Sequence, residues 1–204
     1  MKKTSLLIKI MFALTLIIFI WSGIQPFEYL TWILEVFPGV IGFALIAYYW
    51  NRMRLSNFLL ILICVHCWIL FVGGKYTYAL VPAGKWVQDL FGLQRNHWDR
   101  LGHFAQGFVP AFLAREILLR NKILKNDLWL KFIVISICLG FSAFYELIEF
   151  AVAMILNQAS DAFLGTQGDV WDTQKDMAIA LLGAVMALIL ARWHDKAITT
   201  VESK

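Results

Sequence analysis

Six stretches of this chain are apolar enough to cross, or nearly cross, the roughly 30 Å hydrocarbon layer of a bilayer as helices rising about 1.5 Å per residue. They run from Leu6 to Ile24, Leu30 to Tyr49, Phe58 to Val72, Leu101 to Leu119, Leu130 to Leu156 and Met177 to Trp193. Backbone N–H and C=O groups in lipid must be satisfied within the protein, which leaves the helix as the structure for such segments. A hydrophobic content of 60% and a mean hydropathy of +0.69 agree. The expectation is an all-α, integral membrane bundle of six transmembrane helices forming a single domain over residues 1–204. The start, Met1-Lys-Lys, leads into an apolar run without a small-x-small cleavage site, so it is expected to be an uncleaved first span.

Six spans place both termini on one side, and the distribution of charge selects the side. With the N-terminus inside, the inner segments hold thirteen Lys and Arg against four Asp and Glu, a net of about +9. The outer segments hold five against ten, a net of about −5. The overall +4 therefore hides a polarised molecule with cytoplasmic termini. Its basic residues are topological anchors, and no basic patch interleaved with aromatics points to nucleic acid. Trp21, Trp32, Trp50, Trp98 and Trp193 suit the interfacial belt. In the long outer loop from Gly73 to Arg100, Trp86, Val87, Leu90 and Phe91 recur at helical spacing, predicting a short amphipathic helix at the interface.

Several polar residues do not belong in lipid. Asp99, His103, Gln106 and Pro110 follow one stripe of the fourth span, and Ser142, Glu146 and Glu149 one stripe of the fifth, with Tyr145 beside them. Asp169, Asp172 and Asp176 precede the sixth. Three segments thus bring Asp99, His103, Glu146, Glu149, Asp169, Asp172 and Asp176 to one level near the outer face. Glu28 and Glu35 offer a fourth wall, and His97 a second imidazole. Asp99 and Asp176 also suit helix capping, the latter in a box with Thr173. Glu146 and Glu149 resist that account, because they approach a helix C-terminus, where the macrodipole disfavours negative charge. Their compensation is open between ion pairing to Arg100 or Lys175, bound metal, and protons. Many oxygens and one imidazole favour Mg, Mn or Ca, or a mixed His/carboxylate site for Zn or Fe, over a thiolate site. Cys64, Cys67 and Cys138 are expected to be buried free thiols, with the Cys64-Val-His-Cys67 segment away from the acidic level. Arg115, Glu116 and Arg120 form an expected inner-face salt-bridge cluster.

Several of these segments resemble a known family. They are Asp99-Arg-Leu-Gly-His-Phe-Ala-Gln-Gly-Phe108, Ala114-Arg-Glu-Ile-Leu118, Phe144-Tyr-Glu-Leu-Ile-Glu149 and Gly165-Thr-Gln-Gly-Asp-Val-Trp-Asp-Thr-Gln-Lys-Asp-Met177, together with Gly74-Lys-Tyr-Thr-Tyr-Ala79 and Arg95-Asn96. The chain resembles the YjdF-like family of bacterial inner-membrane proteins, which implies a multi-pass location and no assigned activity. A more distant similarity is to VanZ-like membrane proteins, matched by Asp99, Arg100, His103, Phe104, Glu146, Asp176 and Gly183. The chain departs from that pattern at Lys175 and Ala180, where an Arg and an Asn are usual.

Three functions follow as expectations. The first is a metal-dependent site acting on a lipid or lipid-linked substrate, with His103 or Glu146 as general base and Arg100, Gln106, Tyr145 and Lys175 in support. The second is a proton- or ion-coupled transporter relaying through Glu146, Glu149 and His103. The third is a non-enzymatic membrane scaffold or envelope-stress factor whose charges hold helices together.

Overall fold

The computed structural model describes residues 5–125, 127–156 and 166–202. Asp161 and Gly165 of the expected outer loop lie outside that set. Among the described residues the secondary structure is entirely helical: α1 (Leu6–Gly23), α2 (Tyr29–Tyr48), α3 (Trp50–Met53), α4 (Asn57–Tyr76), α5 (Pro82–Phe91), α6 (Trp98–Arg120), α7 (Leu128–Leu156), α8 (Asp172–Ile189) and α9 (Ala191–Glu202). Helices α1, α2, α4 and α7 are each long and apolar enough to cross a membrane, and α8 with α9 would make a fifth crossing if the bent pair counts as one. Helix α6 is less apolar, because it carries Asp99, Arg100, His103, Gln106, Arg115, Glu116 and Arg120. Its 23 residues would still reach about 34 Å.

Helix α6 is the hub. It packs against α4, α7, α8 and α9, while α4 joins this group to α1 and α2. The closest approach is between α6 and α8. A methyl group added at Gly107 would overlap the carbonyl of Ala180, and one at Gly183 would overlap the backbone of Phe104 and Phe108. Small residues allow helices in lipid to gain van der Waals contact and bring their backbones together. Ala180, Ala184 and Ala187 complete that face of α8 and are fully buried.

Helix α7 shows how sequence assigns faces. Leu130, Val134, Cys138, Ser142, Glu146 and Glu149 recur every three or four residues and are buried, whereas Phe132, Phe141, Phe144, Leu147 and Phe150 point outward. The inward stripe changes from apolar to acidic along its length, so α7 presents acids to the bundle at only one of its ends. On α1, the polar groups are satisfied locally. Thr15 accepts from Trp68 Nε1 at 2.8 Å, and Ser22 accepts from Trp32 Nε1 at 3.0 Å.

Two expectations about boundaries need correction. The last apolar run is not one rod from Met177 to Trp193. Helix α8 begins at Asp172 and stops at Ile189, and α9 leaves at 58°. The bend carries His194 and Asp195 onto α6, where they pair with Glu116 and Arg115. Capping at Asp176 is also overturned: the N-cap of α8 is Trp171, without a side-chain cap, and Asp176 lies in the second turn. The short outer helix is present as α5, with Trp86, Val87, Leu90 and Phe91 all exposed.

Candidate functional site

The acidic end is assembled from α2, α6, α7 and α8. Asp99 and His103 are one turn apart on α6, and Asp176 faces them from α8. One ligand atom from each lies within 4.8 Å of the others. His103 Nε2 is 3.4 Å from Asp99 Oδ1, 3.7 Å from Asp176 Oδ1 and 3.8 Å from Glu146 Oε1. All four residues are buried.

The imidazole is oriented by Gln106, whose Oε1 lies 2.9 Å from His103 Nδ1. A carbonyl oxygen only accepts, so Nδ1 carries the proton and donates. The other nitrogen then faces three carboxylates, none of which donates when ionised. A proton or a metal ion between Nε2 and these oxygens resolves that arrangement. Glu146 Oε1 is buried and has no hydrogen-bond partner among the described residues. Asp176 Oδ1 has no aligned hydrogen bond either, although it makes an ion pair with Arg100 Nη1.

Asp169 and Asp172 are placed differently. Both guanidiniums converge on Asp172 Oδ1, Arg95 at 2.5 Å and Arg100 in closer contact. Asp169 Oδ2 lies 2.6 Å from Lys175, 3.4 Å from Arg100 and 3.6 Å from Arg95. Outside the spans, the Lys175 ammonium and the Trp171 backbone N–H hold the Asp169 carboxyl below its usual range. These two aspartates therefore form an ion-paired rim over the His103 group. Lys175 is 54% exposed at its outer edge.

Glu149 stands apart from the rim. It lines a cavity of about 60 Å³ with Glu35, His66, Tyr78, Asp99, His103, Gln106 and Tyr145 among others. Tyr145 donates its hydroxyl hydrogen to Glu35 Oε2 at 3.2 Å. Glu35 thus joins the site from α2, while Glu28 does not. Glu28 caps α2 by accepting from Leu30 N–H at 3.0 Å and Thr31 N–H at 2.6 Å. Burial pushes its carboxyl up, but those hydrogen bonds outweigh it and the net shift is downward. His97 is exposed beside the N-terminus of α6 and contributes no imidazole to the cluster.

Sequence reasoning overlooked four contributors. Arg95 clamps three of the aspartates. Asn96 is almost fully buried and donates from Nδ2 to the Ala79 and Val81 carbonyls, each at 3.0 Å. Gln167 exchanges hydrogen bonds with the Asn96 backbone, tying the loop before α8 to the entry of α6. Tyr78 is buried at the cavity, reached by a turn in which Thr77 and Tyr78 both have positive φ. Such left-handed residues are costly unless the surroundings enforce them. The Asn96 next to Arg95, and the Gly-Gly before Tyr78, were the available signals. The thiols of Cys64 and Cys67 are buried and free as expected. The intervening His66 corrects the placement of that segment away from the acidic level, because it lines the cavity.

At the opposite end of α6, a second polar cluster surrounds Glu116. Oε1 accepts from Ser56 N–H and from Arg120 Nε, each at 2.7 Å. Oε2 accepts from the Ser56 hydroxyl at 2.7 Å and from His194 Nε2 at 2.8 Å. Arg115 meets Asp195 at 2.6 Å.

A family model described as "Predicted membrane protein (DUF2238)" matches residues 7–196. The inner membrane protein YjdF of Escherichia coli (strain K12) is 50% identical over 184 residues, covering 89% of this chain and 88% of that protein. No solved structure gives a significant match.

Proposed function

Because this chain belongs to the DUF2238 family of predicted membrane proteins, we propose that it is a multi-pass inner-membrane protein whose acidic end is a divalent-metal site. We take it to cross the membrane six times, with α6 as the charged central crossing, the bent α8–α9 pair as the last, and both termini cytoplasmic. The charge bias across the chain supports that orientation. It would put the site on the outer side. Cysteines introduced at Asp89 and near the C-terminus should then be labelled from opposite sides, since the native thiols are buried.

The observation that carries the metal reading is the convergence of Asp99, His103 and Asp176 beside the unpartnered oxygen of Glu146. Seven carboxyl groups, Glu35, Asp99, Glu146, Glu149, Asp169, Asp172 and Asp176, gather around three permanent cations, Arg95, Arg100 and Lys175. Such an excess calls for bound cations or for protons on the carboxyls. Mg, Mn, Ca and Zn all accept carboxylate oxygen, and the imidazole favours Mn or Zn. The ligands would be Asp99, His103 and Asp176. Gln106 would fix the imidazole, as partners of metal-bound histidines do, and Glu146 would be fourth ligand or general base.

A bound ion supplies Lewis acidity toward a phosphoryl or carbonyl oxygen, or a more acidic water. The substrate class that reaches a membrane site of this kind is a lipid or lipid-linked molecule. Metal analysis of the purified protein tests the reading: about one ion per chain in wild type, lost in Asp176→Asn, is expected, and a metal-free wild type overturns it. A proton- or ion-coupled carrier is the second reading, favoured by the internal cavity at His103. Proton-coupled uptake in proteoliposomes that is unchanged by Glu149→Gln would remove it.

A further inference from the structure

We propose that the cavity behind His103 is a second cation site, for a hydrated, magnesium-class divalent ion held through Glu35 and Glu149. It rests on the proposed first site, with which it shares the Asp99 and His103 wall, and adds carboxylates that the first site does not use. Glu35 comes from α2, Glu149 from α7, and Tyr78 and Tyr145 add their hydroxyl-bearing side chains to the same lining. The two carboxylates are buried, Glu149 with 7% of its surface exposed. Glu35 is engaged by Tyr145, and Glu149 opens onto the cavity. Two carboxylates so deeply buried, opening onto a cavity whose wall also carries His66 Nε2 and Asp99 Oδ2 without hydrogen-bond partners among the described residues, point to a ligand in that cavity.

The size and composition of the space select the ligand. About 60 Å³ holds a few water-sized particles, too little for a lipid headgroup. Two carboxylates balance one divalent ion. Among the described residues, no group of three acids or imidazoles closes around Glu149 as Asp99, His103 and Asp176 close on one another. A small hard cation that keeps several waters and takes only one or two carboxylates fits this shell better than one demanding a full protein cage. The imidazole-containing site suits manganese or zinc, so the two sites would differ in preference.

Manganese(II), counted by electron paramagnetic resonance on the detergent-purified full chain, separates the sites. Wild type should bind two ions, one of which excess magnesium displaces. Glu149→Gln should lose the magnesium-sensitive ion and keep the other, whereas Asp176→Asn should do the reverse. Tyr145→Phe, which keeps both carboxylates, should weaken the magnesium-sensitive ion about tenfold. One ion lost in Asp176→Asn and unaffected by Glu149→Gln overturns the second site and leaves the proposed function standing. One ion lost only in Glu149→Gln supports the second site while the first fails. If Glu149→Gln does not fold, Asp176→Asn decides: a single wild-type ion that this variant loses overturns the proposal, and an ion that it keeps and magnesium displaces supports it.

Discussion

The two polar clusters on α6 contain similar residues and are organised in opposite ways. At the end that the proposed topology makes the inner one, Glu116 is 0% exposed and both its oxygens are saturated by Ser56, Arg120 and His194. At the end it makes the outer one, Glu146 has an oxygen without a hydrogen-bond partner among the described residues and Glu149 opens onto a cavity. The histidines show the same contrast. His194 gives Nε2–H to Glu116 and presents Nδ1 to Arg115 Nη1 at 3.4 Å, so each ring nitrogen faces a complementary group. His103 satisfies Nδ1 through Gln106 and turns Nε2 toward three acceptors. A saturated buried network fixes structure, and an unsaturated one holds room for a ligand. The inner cluster accordingly pins α4, α6 and α9 together, while the outer one carries the proposed chemistry.

The largest expected effect comes from breaking the saturated cluster. Glu116→Ala strands Arg120, Ser56 and His194 in a buried space, and removing one partner of a buried charge network costs about 3–5 kcal/mol. Thermal unfolding in detergent should show a severe loss, and a near wild-type midpoint would end the distinction between the clusters. His194→Ala leaves Glu116 with its other donors and should cost less, about 1–3 kcal/mol. It should also loosen α9, so proteolysis after Ala191 should accelerate before the bundle melts.

The outer cluster should respond with the opposite sign. Glu146→Gln removes an uncompensated negative charge, so without metal the variant should match wild type or exceed it by up to about 1 kcal/mol. Saturating manganese should reverse the order, because a ligand at a hundred times its dissociation constant stabilises the native state by about 2.7 kcal/mol. Melting curves with and without the ion check this, and an order indifferent to metal would break the comparison at its functional end.

Much of this organisation was legible in the chain. The stripes of α6 and α7 follow from helical spacing, and Glu146 and Glu149 stood out as two carboxylates about a turn apart in an apolar run, although α7 continues to Leu156 and leaves them short of its last turn. The inner cluster was visible only in part. Arg115, Glu116 and Arg120 are neighbours in sequence, but Ser56 and His194 reach Glu116 across sixty and seventy-eight positions. No local pattern encodes such contacts, and the bend that delivers His194 lies at the end of an otherwise uniform apolar run. Arg95, outside any span, looked like a loop charge. Its role depends on the loop before α8 folding back on Asn96, a long-range event stabilised by Gln167. His66 was hidden by the opposite circumstance: an apolar helix surrounds it, and only the packing of α2 and α7 shows that it faces a cavity.

The smallest effect belongs to the rim of the outer cluster. The carboxyl of Asp169 is held below its ordinary range by Lys175 and the Trp171 N–H. A carboxylate with a lowered folded-state value contributes stability that is fully present above its unfolded pKa, near 3.9. That contribution is lost as pH falls through the lowered value. The midpoint difference between wild type and Asp169→Asn should therefore be steady at neutral pH and shrink in the acid range below about pH 4. High salt should reduce it as well, because Lys175 meets solvent and exposed pairs are screened. The inner pair of Arg115 and Asp195 is half-shielded, since Arg115 is buried and Asp195 exposed, so Asp195→Asn should be less salt-sensitive than Asp169→Asn. Equal salt sensitivity at the two ends would mean that water reaches both clusters alike, and the contrast between a closed lock and an open site would then rest on Glu116 and Glu149 alone.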